Sequence, residues 1–280
     1  MNLIYKNKER ILYGILLLII LTGVIKLGKF YSLGLLGIIG VLALDEIFIN
    51  FYSKTRKSKN YVLSQIIFLS CFIYFNFFAS DSPIFALFQN LSIFLNIFLV
   101  ILLFYPRLFF IIKNHYPVKY LSFTSSVIVL FPFMSISKLF HYGKWEYLLI
   151  AVLMVTYTTD MAAWFIGSKW GKTKLWPEVS PNKTVEGALG GIMASAIITS
   201  IFWYNFTHFI NLSTIIIMAF IALCSLLGDL VQSRIKRYFK IKDSSSLIPG
   251  HGGVYDRIDS LLLAGPIFVS VVADLYPWIN

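Results

Sequence analysis

"SRIKRYFKIKDSSSLIPGHGGVYDRID", residues 233–259, is dense in charge, serine and glycine, yet it stands between runs at about 212–229 and 260–279 that are almost wholly apolar. That contrast is what a polar loop between two membrane spans looks like, since a span takes about 20 apolar residues to cross roughly 30 Å of hydrocarbon. The whole 280-residue chain repeats the pattern, with 58% hydrophobic and 13% charged residues and a mean hydropathy of +0.77. A water-facing exterior normally needs about a quarter of residues charged. The expected fold is an all-α polytopic membrane protein.

Working outward, we place about nine transmembrane helices, at 11–27, 31–52, 61–80, 85–105, 121–140, 147–166, 187–205, 212–229 and 260–279. The segment between the fourth and fifth, "PRLFFIIKNHYPVKY", is amphipathic enough to lie along the interface. The first run, from Ile11, has no convincing small-residue cleavage site after it and reads as a retained helix. With no internal repeat or low-complexity linker, residues 1–280 read as one domain, with N-terminal spans over about 11–140 and the chemistry-bearing half over about 147–280. Cys71 and Cys224 lie inside apolar runs and read as small hydrophobes.

Charge sets the expected orientation. With nine spans and a cytoplasmic N-terminus, 20 of the 24 Lys and Arg fall on the cytoplasmic side, leaving Lys26, Lys29, Lys138 and Lys144 for the other. The positive-inside rule asks for this bias. The net charge of +11 therefore reflects orientation, and its scatter over several loops argues against nucleic-acid binding. Two long cytoplasmic segments, 160–191 and 228–259, are rich in Gly, Ser and Lys, and the chemistry is expected there.

In the second segment the eighth span is expected to run on as a helix. Asp229, Ser233, Lys236 and Arg237 then share one face. That face suits a metal-bound phosphate, and it also suits a snorkelling collar with Asp229 as counter-ion. Lys242, Asp243, His251, Gly252 and Gly253 follow. Adjacent glycines let N–H groups approach an anion, although HGG alone is also an ordinary tight turn. If Asp256 and Asp259 open the ninth helix, both carboxylates lie on one face beside Arg257. Aspartates with few nitrogen or sulfur ligands nearby point to Mg²⁺ with a polyphosphate rather than to zinc.

The run from Ser233 through Lys236, Arg237, Lys242, Asp243, Ser245, Pro249, His251, Gly252, Gly253, Asp256 and Arg257 to Asp259 resembles the signature of the phosphatidate cytidylyltransferases, also called CDP-diacylglycerol synthases. One position departs: Gln232 stands where the family has Glu. The first segment, "TYTTDMAAWFIGSKWGKTKLWPEVSPNKTVEGALGG", is similar to the family's other hallmark, through Asp160, Gly167, Gly171, Lys172, Ser180, Lys183, Thr184, Glu186 and Gly187. Read from the residues, Ser180, Lys183 and Thr184 form a phosphate cradle around a proline-rigidified turn. Glu186 reads as a first-turn helix residue, and Gly187, Gly190 and Gly191 as close helix packing. Asp160 is either a structural carboxylate paired with a lysine or a ligand-facing one.

The resemblance implies transfer of a cytidylyl group from CTP to phosphatidic acid, in a homodimer of the bacterial inner membrane. Asp229 and Asp256 are expected to carry Mg²⁺, with Asp259 beside them and a second cation left open. Ser180, Lys183 and the Lys236/Arg237 pair are expected to hold phosphates, and His251 and its glycines to shape the nucleotide loop. Rival readings are a CTP-using lipid kinase, a related cytidylyltransferase and a transporter; transporters tend to place charges and broken helices at mid-membrane. Asp45 and Glu46 are open between function and interfacial anchoring. His115, His141 and His208 read as polar edge residues, and Trp145 and Trp278 as an aromatic belt.

Overall fold

The computed structural model describes residues 2–79, 82–105, 107 and 118–275. His115, Trp278, most of the segment 106–117 and the end of the last expected span lie outside the described residues. Nine helices are present among those described: α1 (Asn2–Leu27), α2 (Lys29–Glu46), α3 (Lys59–Ile73), α4 (Ile84–Phe104), α5 (Val118–Ser137), α6 (Trp145–Trp170), α7 (Val185–Thr207), α8 (Leu212–Tyr238) and α9 (Tyr255–Leu275). Each overlays one expected span. By length and composition, six helical stretches (with α2 and α3 counted through the π-turns at their C-terminal ends) suffice to cross a membrane: Lys29–Phe51, Lys59–Phe78, Ile84–Phe104, Trp145–Trp170, Val185–Thr207 and Leu212–Tyr238. This is an all-α polytopic membrane fold.

Polar side chains set several helix starts. Ser58, Thr184 and Asn211 accept from the N–H groups of Tyr61, Gly187 and Thr214, each satisfying a donor that the first turn leaves open. The interior is built from Leu33, Leu44, Phe68, Phe133, Val152, Trp203, Met218 and Phe268, all fully buried or nearly so. Phe78, Phe94, Trp164 and Leu212 lie outside, as a lipid-facing surface allows. Trp145 departs from the belt reading: it is buried and stacks on Phe140 with ring centroids 5.2 Å apart. His141 is no simple edge residue either, lying between Lys29 Nζ at 3.4 Å and Asn76 Oδ1 at 3.1 Å.

The tightest helix pair is α6 with α7. A Cβ on Gly187 would stand 2.6 Å from the Ala163 carbonyl oxygen, and one on Gly191 would stand 2.8 Å from that of Thr159. The close-packing reading of these glycines holds. Between the two helices the chain forms a hairpin absent from the sequence reading: β1 (Lys174–Trp176) pairs antiparallel with β2 (Ser180–Thr184). Val179 pins it, buried against a cluster that includes Leu102, Leu103, Leu230 and Leu263.

Candidate active site

The C-terminal parts of α6 and α8, the start of α9 and strand β2 surround a cavity of about 550 Å³. Asp160 stands ten residues before the end of α6 and Asp229 nine before the end of α8. At 1.5 Å per residue both lie roughly 14 Å inside the helix ends, so the cavity is recessed. Asp160, Ser180, Lys183, Thr184, Asp229, Lys236, Asp243, Asp256, Arg257 and Asp259 all line it, as do Asn182, Ser168 and Trp164.

As expected, α8 continues beyond its apolar run and brings Asp229, Ser233 and Lys236 to one face. Ser233 Oγ donates to Asp229 Oδ1 at 3.0 Å. Lys236 is buried and reaches across to α9, where its Nζ lies 2.8 Å from Asp256 Oδ1 and 3.5 Å from Asp259 Oδ2. One ammonium bridging residues three apart confirms that both carboxylates share the first turn's inner face. Arg237 departs from this arrangement. One residue further round the helix, it is exposed and donates to the Ile241 carbonyl, 3.3 Å away, at the C-terminal end of α8. The expected Lys236/Arg237 pair is thus split.

Strand β2 delivers Lys183 into an ion pair with Asp229. Burial pulls the Lys183 ammonium down, but the Asp229 and Asp160 carboxylates outweigh it, and its pKa stands above the usual lysine value. Asp160 takes a hydroxyl rather than a lysine as its direct partner: Ser260 Oγ donates to its Oδ2 at 3.1 Å. Glu186 faces the hairpin's entry, accepting from the N–H groups of Lys172 and Thr173 at 3.1 Å each. Thr184 is buried and caps α7.

The glycine loop binds an anion of the protein's own. Asp256 Oδ2 accepts from Ser244 N at 2.7 Å, Ser244 Oγ at 2.9 Å and Gly253 N at 2.9 Å. Gly252 adopts φ 81°, and a Cβ there would meet Asp256 Oδ2 at 2.7 Å. With Ile248 N bonded to the Gly252 carbonyl at 2.8 Å, the tight-turn reading describes this stretch better than an open anion nest. His251, Gly252, Gly253 and Lys242 do not line the cavity. Gln232, the departure from the family pattern, is buried and accepts from the Tyr255 hydroxyl, a contact a neutral amide serves without burying a charge.

Sequence reasoning missed Asn182, Ser168 and Trp164, which become neighbours of the cavity only through the hairpin and the α6–α8 packing. It also missed Ser244 and Ser260 as partners of the aspartates.

Five aspartates and three cationic side chains line the cavity, an excess of two formal negative charges. An anionic substrate would be helped into such a site by accompanying cations. Each carboxylate oxygen has two lone-pair sites. Asp229 Oδ1, Asp229 Oδ2 and Asp256 Oδ1 each have one partner among the described contacts, leaving a site for a cation. No group of three or more His, Cys, Asp or Glu among the described residues could hold a metal by itself. Asp229 and Asp256 thus offer two carboxylates of the kind Mg²⁺ takes, a cation that completes its shell with phosphate oxygens and water.

The chain is similar to bacterial proteins named phosphatidate cytidylyltransferase. Over 142 residues the chain is 41% identical to the phosphatidate cytidylyltransferase of Bacillus subtilis, covering 50% of this chain and 52% of that one. It is 44% identical to the Staphylococcus aureus (strain COL) protein of the same name over 125 residues, 44% of this chain and 47% of the other. The chain thus spans about half the length of the curated relatives it matches. The model of the cytidylyltransferase family matches residues 8–274, nearly the whole sequence. By that match the chain belongs to the cytidylyltransferase family.

Proposed function

We propose that the protein transfers the cytidylyl group of CTP to phosphatidic acid, giving CDP-diacylglycerol and pyrophosphate. The observation that carries this reading is the recessed cavity, where Lys183 and Lys236 sit among aspartates inside a membrane protein of this family. The names of the Bacillus and Staphylococcus relatives support the acceptor.

A phosphatidate oxygen is already anionic at neutral pH, so the attack on the α-phosphorus needs no strong base. The new P–O bond forms as the bond from the α-phosphorus to the bridging oxygen of the β-phosphate breaks, and pyrophosphate leaves with the electron pair. The difficulty is bringing two anions together in line, a problem of positioning and charge. Lys183 and Ser180, on the rigid hairpin, offer an ammonium and a hydroxyl to phosphate oxygens. Lys236 holds Asp256 and Asp259 in place. Asp229 and Asp256 would hold Mg²⁺, which when bound neutralises phosphate charge and stabilises the departing pyrophosphate. A smaller chamber of about 260 Å³, sharing Asp160, Trp164, Asp256, Arg257 and Asp259 with the main cavity, is also lined by Tyr157 and Met161. Met161 and Trp164 are highly exposed on α6, the side from which a lipid headgroup can enter.

In this reading the chain is one integral-membrane domain, a view supported by the family match over 8–274. It crosses a bacterial cytoplasmic membrane nine times, with the cavity towards the cytoplasm, where CTP is available, and it works as a homodimer. The bias of basic residues supports the orientation, the bacterial relatives the membrane, and the family resemblance the dimer.

The test is purified protein in detergent with Mg²⁺, phosphatidic acid and CTP labelled at the α- or γ-phosphate. Label from the α position entering the lipid is the expected result. Label from the γ position instead makes the protein a lipid kinase, and movement of neither removes the proposed acceptor.

A further inference from the structure

Glu46, at the end of α2, is buried at 4% exposure and does not line the cavity. Its carboxylate is nevertheless fully engaged with the segment that does. It accepts from Ser244 Oγ and Ser245 Oγ, each at 2.7 Å, and from the N–H groups of Val254 at 2.8 Å and Tyr255 at 2.9 Å. The last two belong to the opening of α9, where the first turn has no intrahelical acceptors. A carboxylate brought there from another helix satisfies them and complements the positive end of the helix dipole.

The grip is tight and continuous with the site. A Cβ on Gly253 would stand 2.3 Å from Glu46 Oε2, so a larger residue would push the loop off the carboxylate. Ser244 Oγ also lies 2.9 Å from Asp256 Oδ2, and its single proton serves one carboxylate at a time. Glu46, Ser244, Asp256 and Lys236 therefore form one chain of contacts from the N-terminal helices to the cavity. The neighbouring Asp45 faces elsewhere, onto Arg56 and Tyr61, with all three contacts at 2.8 Å.

We propose that Glu46 is a positioning residue for the transfer reaction. It holds the 243–254 loop and the start of α9 so that Asp256, Asp259 and Lys236 face the cavity in their working arrangement. The inference rests on the reaction proposed above for its catalytic consequence, and on the contacts alone for the holding of the loop.

The experiment compares wild type with Glu46→Gln, Ser245→Ala and Asp45→Asn, reading amide hydrogen exchange over 243–256 together with kcat and KM for CTP. In Glu46→Gln the Val254 and Tyr255 amides should lose protection while α6, α7 and α8 keep theirs. Its kcat should fall about tenfold to a hundredfold with KM within about threefold, as expected for a lost charge-assisted contact that acts through placement. Ser245→Ala should move both readouts the same way by less, and it carries the test if Glu46→Gln does not fold. Asp45→Asn should leave both unchanged. Unchanged protection at Val254 and Tyr255, a loss spread evenly over all helices, wild-type kcat with a loosened loop, or an equal defect in Asp45→Asn would each overturn the proposal. If wild type moves no α-label into lipid, the proposed reaction fails, while the exchange data still decide whether Glu46 holds the loop.

Discussion

Asp256 meets Lys236 with one oxygen and three donors from Ser244 and Gly253 with the other. Replacing it by Asn sets an NH₂ against groups that are already donors. Asp256→Asn should therefore lose turnover by more than about a hundredfold and also cost about 1–3 kcal/mol of stability, seen as a lowered Tm in detergent. Lys183 gives a pH prediction. Its pKa is raised in the folded protein, so the stabilisation from its pair with Asp229 is complete below the ordinary value of about 10.5 and disappears only as pH rises through the higher folded value. A pH–rate profile should consequently show no loss from this group between about pH 8 and 10, whereas Lys183→Met should lose activity throughout that range.

Among the elements, the α6–α7 pair and the hairpin it carries set where Lys183 stands. Gly187→Ala forces a Cβ to 2.6 Å from a backbone oxygen and 3.0 Å from the Gly167 Cα, atoms that cannot swing away. A loss of about 1–3 kcal/mol is expected, with activity falling as β2 shifts. Gly34→Ala is the control: nothing lies within 4 Å of the added carbon, and alanine favours the helix. Thermal unfolding of the two variants in detergent should move in opposite directions. The hairpin also explains why the stretch around Pro181 reads from sequence as a turn and not as paired strands. Its strands have three and five residues, and their pairing depends on Val179 finding a hydrophobic seat contributed by α4, α8 and α9. Short strands carry too little periodicity to announce that.

At the scale of the molecule, the proposed topology, nine crossings with the cavity on the N-terminal side, predicts a labelling pattern. With Cys71 and Cys224 replaced by Ala, single cysteines at Lys57 and Ser246 should react with an impermeant maleimide from the cytoplasmic side of membrane vesicles. A cysteine at Lys144 should react from the opposite side. Labelling of Ser246→Cys and Lys144→Cys from one side would break the nine-span topology. The apolar helices themselves are legible in the sequence because lipid imposes a length and a polarity on a spanning helix independently of its neighbours.

The sequence by itself determined the helices, the gathering of the cavity's polar lining into residues 160–259, and the shared face of Asp229, Ser233 and Lys236, since each depends on local composition or on helical period. The tertiary structure decided which polar groups meet. It seated Lys236 between Asp256 and Asp259, turned Arg237 out to the Ile241 carbonyl, spent the Gly253 N–H on Asp256, and joined Glu46 to donors about 200 residues further along the chain. No periodicity encodes these pairings, because a buried carboxylate takes whatever donors the packing of distant helices brings within about 3 Å.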